Sequence, residues 1–347
     1  MQSIQVIKML ASLCLAMFIG FLSIQTANAA ADAEIDLSGS PRLLALVDEL
    51  VNEQGFDRPE LIRLLSDAEY KQSIINAITR PAEGVLAWHQ YRKIFVTSKR
   101  TSQGIRFWQK HAAELARAEQ TYGVPAQIIA AIIGVETYYG RHTGGYRVVD
   151  ALMTLAASDY RRHDFFRDEL RAFLILNRDE QQDPRLPVGS YAGAIGIPQF
   201  MPTSYQEYAV DFDGDGRRDL VNSVDDAIGS VANYLARHGW QREQPVLNYV
   251  EYALQAGDPD QDPLIKKGYK PHSTVATVQQ QGVSWAAGVN PESERQVALL
   301  ALGQKNGHTM VAAFKNFYVI TRYNHSPLYA MAVFQLSESL RSGYQSN

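Results

Sequence analysis

The stretch that most restricts the fold is GVPAQIIAAIIGVETYYG, residues 123–140. Pro125 stands where a first helical residue belongs, and Ile129, Ile132, Ile133 and Glu136 recur at i, i+3, i+4 and i+7. This spacing predicts a strongly apolar helix whose stripe Glu136 shares, with Gly140 marking its end. Burial disfavours an ionised carboxylate, and the negative end of the helix dipole disfavours it further. A carboxyl kept protonated near neutral pH is a candidate general acid, of the kind that protonates the leaving oxygen in glycosidases. The same seven residues GVETYYG also suit a surface glutamate at a fraying helix end.

At 347 residues the chain has room for two or three domains and a sizeable core. Its first thirty residues run from Lys8 through an apolar run, Met9 to Ile24, to Ala27-Asn28-Ala29, the pattern of a secretory signal cleaved before Ala30. The competing reading is a retained membrane anchor, but the run is shorter than the ~20 residues a spanning helix needs. Cys14, the only cysteine, lies inside this segment behind the bulky Leu13, so no lipidation motif forms. The mature chain is then expected to hold no disulfide or thiolate metal site and to rely on its core or on a metal. A net charge of −4 points away from nucleic acid.

Helical spacing recurs in PRLLALVDELVNEQG from Pro41, in PELIRLLSDAEY from Pro59, in GIRFWQKHAAELARAEQTYG as one amphipathic helix, and in DFFRDELRAFLILNRDEQ. After Trp240 the character changes. PVLNYVEYAL, STVATVQQQGVSW and RQVALLAL are short runs rich in Val, Tyr and Thr between turn-rich pieces, and they predict a small sheet domain. Helix returns in SPLYAMAVFQLSESLRSG, with Ser326 as N-cap, Pro327 first in the helix and Gly343 just past its end.

Residues 211–226 read DFDGDGRRDLVNSVDD. Asp211, Asp213 and Asp215 at alternate positions, with glycine sixth, open like an EF-hand loop in which carboxylates converge on a hard cation. Arg217 at the seventh place would offer its backbone carbonyl. Asn222 stands where a closing glutamate is expected, so Asp225 or Asp226 would supply the last carboxylate from a longer loop. A solvated Asp/Gly turn is the plainer alternative.

Taken in order, GVETYYG, GSYAGAIGIPQFMPTSY, the acidic loop, AIGSVANYLARHGW and ITRYNHSPLYAMAV make the chain resemble the lytic murein transglycosylases of the B type, from about residue 41 to 342. The resemblance implies an α+β, mostly α fold. Its layout would be a signal peptide 1–29, an N-terminal helical domain 30–104, and a lysozyme-like core 105–242 holding a calcium loop at 211–226. A small β domain 243–315 and a C-terminal return to the core, 316–347, would follow. It matches Glu136 to the family's single catalytic acid, and Ser190, Gln199 and Phe200 to the sugar-binding groove. It matches Arg161 and Arg162 to basic residues near the peptidoglycan ligand, and Tyr234, Tyr323, Asn324 and Tyr329 to groups around the cleavage site. Without the family, the tyrosines suit core packing as well as sugar contact, and the arginine pair suits a solvated helix face.

Ordinary glycosidases use two carboxylates. A lone acid suffices where the substrate supplies the nucleophile, the C6 hydroxyl of N-acetylmuramic acid, giving 1,6-anhydromuramic acid. Two alternatives stand beside this. A hydrolytic muramidase would draw a second carboxylate from Asp159, Asp164 or Glu169, none in an apolar setting like that of Glu136; a non-catalytic peptidoglycan-binding protein would use Glu136 structurally. The expected cofactor is Ca2+ in a structural role, with no organic cofactor. The expected partners are peptidoglycan glycan strands and cell-wall synthesis or lysis complexes, for a soluble periplasmic monomer.

Overall fold

The computed structural model describes residues 33, 34, 37, 39–79, 86–255 and 257–346. The signal segment, Lys8 and Cys14 lie outside them. The described residues form two compact units, one from those up to residue 79 together with 136–230, the other from 86–135 together with those from 231 to 346.

In the unit holding residues 136–230, helices Pro41–Gln54, Arg58–Ser66 and Gln72–Thr79 precede Val148–Ala157, His163–Asp179 and Pro202–Tyr208. The first begins at Ser40, whose hydroxyl caps the Leu43 N–H, and stops at Gly55 in the left-handed conformation at φ 71°. Asp57 caps the second in the same way, which ends at Ser66, short of the PELIRLLSDAEY run. Two antiparallel strand pairs complete the unit: Ala33–Glu34 with Glu69–Tyr70, and Tyr146–Arg147 with Val188–Gly189. Leu43, Leu46, Val47, Leu50, Leu152 and Phe166 are fully buried. Two ionic clusters tie the helices. Glu49 accepts from Arg167 and Arg171 of helix His163–Asp179; burial alone would raise its pKa, but the two guanidinium groups hold it below the usual value. Asp150, 3% exposed, accepts two hydrogen bonds from Arg147 at 2.8 Å and one from the Glu69 N–H at 3.0 Å.

The other unit packs helices Trp88–Phe95, Ser98–Lys110 and Ala112–Tyr122 with Lys315–Tyr323 and Pro327–Gln345. The single helix expected over 104–123 is interrupted at His111, which leaves helical geometry at φ −116°, ψ 36°. His111 falls four residues from both Phe107 and Leu115 in the buried stripe, so a polar ring occupies the place where the stripe needs an apolar one. The last helix runs on to Gln345 instead of stopping at Gly343. A Cβ at Gly343 would lie 2.3 Å from Ile105 Cδ1, so this glycine serves close helix packing and is not a stop signal.

Between Leu247 and Ala313 lies a five-stranded antiparallel sheet, in the spatial order Ser273–Thr274, Gln296–Gly303, His308–Ala313, Leu247–Glu251, Ser284–Trp285. The STVATVQQQGVSW run is not a continuous strand: Val275–Gln280 is a short helix capped by Thr274. Val275 and Val278 are three residues apart and both buried, a helical spacing that overrides the β-branched composition. Among the described residues no helix is long and apolar enough to cross a membrane.

Replacing Asp150 by Ala leaves the Arg147 guanidinium and the Glu69 N–H without their buried acceptor. Urea denaturation should show a loss of about 3 kcal/mol; a midpoint matching the parent would show that the cluster contributes little to stability.

Candidate active site

Helix Ala126–Thr137 starts where the Glu119 carboxylate accepts from the Ala126 N–H at 3.0 Å. Residues 128–137 are all buried. The expected one-sided stripe is absent because the segment has almost no polar residue to face water, and a helix apolar all round is buried all round. Glu136, 7% exposed, sits one residue from its end.

That end is firmly tied. Thr137 Oγ1 donates to the Ile197 carbonyl at 2.8 Å and accepts from the Gly140 N–H at 3.0 Å. The Thr137 carbonyl takes the N–H groups of both Arg141 and His142 at 2.9 Å. Tyr138, Tyr139 and Gly140 are left-handed in succession, at φ 53°, 63° and 80°. Two of these carry side chains, a conformation that stores on the order of 1 kcal/mol or more at each and persists only where surrounding bonds impose it.

The 189–200 loop is bound to the turn after Glu136. Gln199, itself left-handed at φ 54°, donates from Nε2 to the carbonyls of Thr143 and Gly196 at 3.0 and 2.9 Å, and its Oε1 accepts no hydrogen bond among the described residues. Ser190 Oγ accepts from the N–H groups of Ala192 and Ala194, holding the loop's own turn. Phe200 is 2% exposed and exchanges backbone hydrogen bonds with Ile195. The glycines answer to backbone contact: a Cβ at Gly189 would lie 2.2 Å from the Ala194 carbonyl oxygen, and one at Gly196 2.2 Å from that of Leu220.

Arg161 is exposed, while Arg162 is half-buried with its guanidinium 4.2 Å from the Phe165 ring centroid. Burial pushes the Arg162 pKa down from its ordinary value. Asp159 and Asp164 are open to solvent.

The remaining candidates form a group in the other unit. The Tyr234 ring stacks on His238 at 4.0 Å and meets Tyr323 edge-on at 4.8 Å; Tyr323 in turn lies parallel to Tyr329 at 6.4 Å. Tyr234 donates its hydroxyl proton to the Arg322 carbonyl at 2.6 Å. Tyr329 and Asn324 are buried, and Tyr323 is half-exposed.

In the acidic loop, carboxylate oxygens of Asp211, Asp213 and Asp226 lie within 4.8 Å of one another. Asp211 accepts from the N–H groups of Gly214, Asp215 and Gly216, which wraps the loop around it. Asp226, 1% exposed, accepts from Phe212, Asp213 and Asp219. Gly216 makes the turn at φ 90°. Of the two closing candidates, Asp226 joins this cluster and Asp225 does not. Asp215 turns an oxygen to the Arg217 N–H at 2.9 Å.

A family model described as Transglycosylase SLT domain matches residues 40–338. The chain belongs to this family. Membrane-bound lytic murein transglycosylase B of Escherichia coli (strain K12) is 41% identical over 318 residues, 88% of this chain and 84% of that protein. The crystal structure of soluble lytic transglycosylase SltB1 from Pseudomonas aeruginosa matches with a TM-score of 0.82 at 44% identity, covering 88% of this chain and all (100%) of that one. The Escherichia coli lytic transglycosylase Slt35 in complex with calcium matches with a TM-score of 0.80 at 38% identity, covering 93% and 100%. The fold is therefore the lysozyme-like, mostly helical α+β arrangement that the resemblance implied.

One buried acid of this transglycosylase domain was misjudged from sequence. Glu169 is 2% exposed, more enclosed than Glu136. Its two oxygens accept from the Thr203 N–H at 2.9 Å and the Thr203 hydroxyl at 2.7 Å, at the first turn of helix Pro202–Tyr208. Sequence offered one weak signal, the place of Glu169 beside Leu170 and Phe173 in the apolar stripe of its helix. Burial, partly offset by Thr203, raises its pKa above 4.5. The native carboxyl thus holds its proton more tightly than the unfolded chain does, and stability should fall as pH rises from 4.5 through the raised native value. Urea titrations of the parent and Glu169→Gln across this window should show the parent losing stability relative to the variant and then levelling. A parent-minus-variant stability that stays flat or rises with pH would contradict burial as the dominant influence.

Proposed function

We propose that the protein cleaves the β-1,4 bond between N-acetylmuramic acid and N-acetylglucosamine in peptidoglycan, with Glu136 as sole acid and base. The observation that carries this is a single glutamate enclosed at the tied end of a buried helix. The carboxylates that could serve as a hydrolase's second group are otherwise engaged: Asp159 and Asp164 face solvent and Glu169 holds Thr203. Glu136 donates its proton to the glycosidic oxygen as the bond from C1 breaks. The muramic acid C6 oxygen then bonds to C1, and its proton returns to the Glu136 carboxylate, leaving 1,6-anhydromuramic acid.

Ser190, Gln199, Phe200, Arg161 and Arg162 are assigned to the glycan strand, as are Tyr234, Tyr323, Asn324 and Tyr329. The free Gln199 Oε1 suits a sugar hydroxyl or N-acetyl N–H, Tyr323 offers an apolar face, and the arginines suit lactyl and peptide carboxylates. Phe200 and Tyr329, being buried, would act by shaping the groove. Ca2+ is assigned to the acidic loop through Asp211, Asp213 and Asp226, with Asp215 and the Arg217 carbonyl as further oxygen ligands and Asp225 outside the set. Three carboxylates drawn together suit a hard cation, which would brace the loop without entering the chemistry. The proposed layout of helical domain 30–104, core 105–242, β domain 243–315 and return 316–347 accompanies this assignment. So does a soluble periplasmic monomer released by cleavage after Ala29.

Glu136→Gln keeps the volume and removes the titrating proton. The variant should fold as the parent does and lose lytic activity by about a thousandfold or more, read by mass spectrometry of digested sacculi. Anhydro ends are expected from the parent; reducing ends would indicate a hydrolase instead, and parental activity in the variant would remove Glu136 from its role.

A metal bound only by the native state stabilises it by mass action. Chelation should lower the melting temperature by several degrees, and added calcium should restore it. Identical melting curves with and without chelator, and no heat of calcium binding, would discard the site.

A further inference from the structure

A cleft of about 740 Å³ opens in the unit containing the five-stranded sheet, and none of its lining residues is among the glycan-binding assignments. It lies among residues 241–245, the approach to strand Ser273–Thr274, the 292–296 segment and the start of helix Lys315–Tyr323. Its size is that of sites that enclose small ligands, roughly 300–1,000 Å³. Pro245, Pro271 and Tyr318 give it apolar walls, while Gln241, Gln244 and Gln296 bring carboxamides that can both donate and accept.

The charges of the cleft do not cancel. Glu292 pairs with Arg295 at 3.2 Å, leaving Glu294 against Arg242, Lys270 and Lys315. These three cations form no ion pair with any described residue. Arg242 donates instead to the Gln120 carbonyl at 2.7 Å, and Lys315 Nζ lies 5.4 Å from the Tyr318 ring centroid. Outside the cleft, burial pushes the His238 imidazole below its ordinary pKa, against a hydrogen bond with the Tyr234 carbonyl, and the charges of Arg322, Arg237 and Lys315 lower it further. Isolated surface lysines are ordinarily just solvated. Here they border a concavity with apolar walls and amide-binding groups, where water competes less well.

We propose that this cleft binds a short carboxylate-bearing peptide, its carboxylates on Arg242, Lys270 and Lys315, its amides on the glutamine carboxamides and its aliphatic parts on the prolines. The peptide stems of peptidoglycan are the source with this chemistry; that identification rests on the activity proposed above. The cleft would then read the peptide decoration of a strand, separately from the sugar chemistry at Glu136.

The test titrates the full-length protein with a free stem-type tetrapeptide, L-Ala-γ-D-Glu-L-Lys-D-Ala, followed by calorimetry. Saturable binding that weakens with added salt is expected. Lys270→Gln with Lys315→Gln should weaken it about tenfold, and a peptide with amidated carboxylates should bind about as poorly to the parent. Near-UV circular dichroism checks that the doubly substituted protein is folded, and the salt and amidation arms need no variant. No binding, equal binding by the substituted protein, or equal binding of the amidated peptide would each overturn the proposal. The peptide has no glycosidic bond, so its binding is decided whether or not sacculi are cut. Loss of the lytic reading would show separately, in the sacculus digest.

Discussion

One side-chain hydroxyl joins the two pieces of chain that define the surroundings of the acid. Thr137 Oγ1 accepts from the turn that follows it and donates to the loop at Ile197. A buried helix end leaves carbonyl groups that must find partners. Here the answer is a left-handed run through Tyr138, Tyr139 and Gly140, which brings two N–H groups back onto the Thr137 carbonyl. Just past the turn, a Cβ at Gly144 would lie 2.0 Å from the Gly189 carbonyl oxygen, so the absence of a side chain there lets chain and loop meet, while Gly189 and Gly196 let the loop close on Ala194 and Leu220. The position of Glu136 follows from these constraints together, since the helix carrying it has no exposed face along which to shift.

Buried acids elsewhere show what such groups do when they are structural. Asp150, Glu169, Asp226 and Asp262 each accept backbone N–H groups from a neighbouring segment. Asp262, fully buried, accepts from the Gln255 and Leu264 N–H groups and the Tyr252 hydroxyl, and so ties these two sides of the turn-rich segment together. In each case a carboxylate replaces the regular structure that a loop cannot provide, and its desolvation is offset by several donors.

Features set by local chemistry were legible in the sequence. Ser326 caps its helix because a serine oxygen reaches the orphan N–H groups of a first turn, and the 126–137 helix is apolar enough to declare itself. Features set by tertiary contact were not. Gly343 looked like a stop because its packing partner, Ile105, is far away in sequence. His111 breaks a helix without proline or glycine, and the strand His308–Ala313 went unread because its partner fixes it more than its composition does. At the site, residue types pointed to Glu136 and the acidic loop, but choosing Asp226 over Asp225 needed the fold. The hold of Glu169 on Thr203 was equally invisible, since 34 residues separate the two.

The small sheet is finished at both sides by strands of only two residues, Ser273–Thr274 and Ser284–Trp285. A long open edge offers a row of unpaired backbone groups on which another chain can add as an extra strand. Each border strand pairs with only two residues of its neighbour, so neither border strand itself offers a second molecule a ladder to extend. The two border strands are thereby poor templates for edge-to-edge pairing.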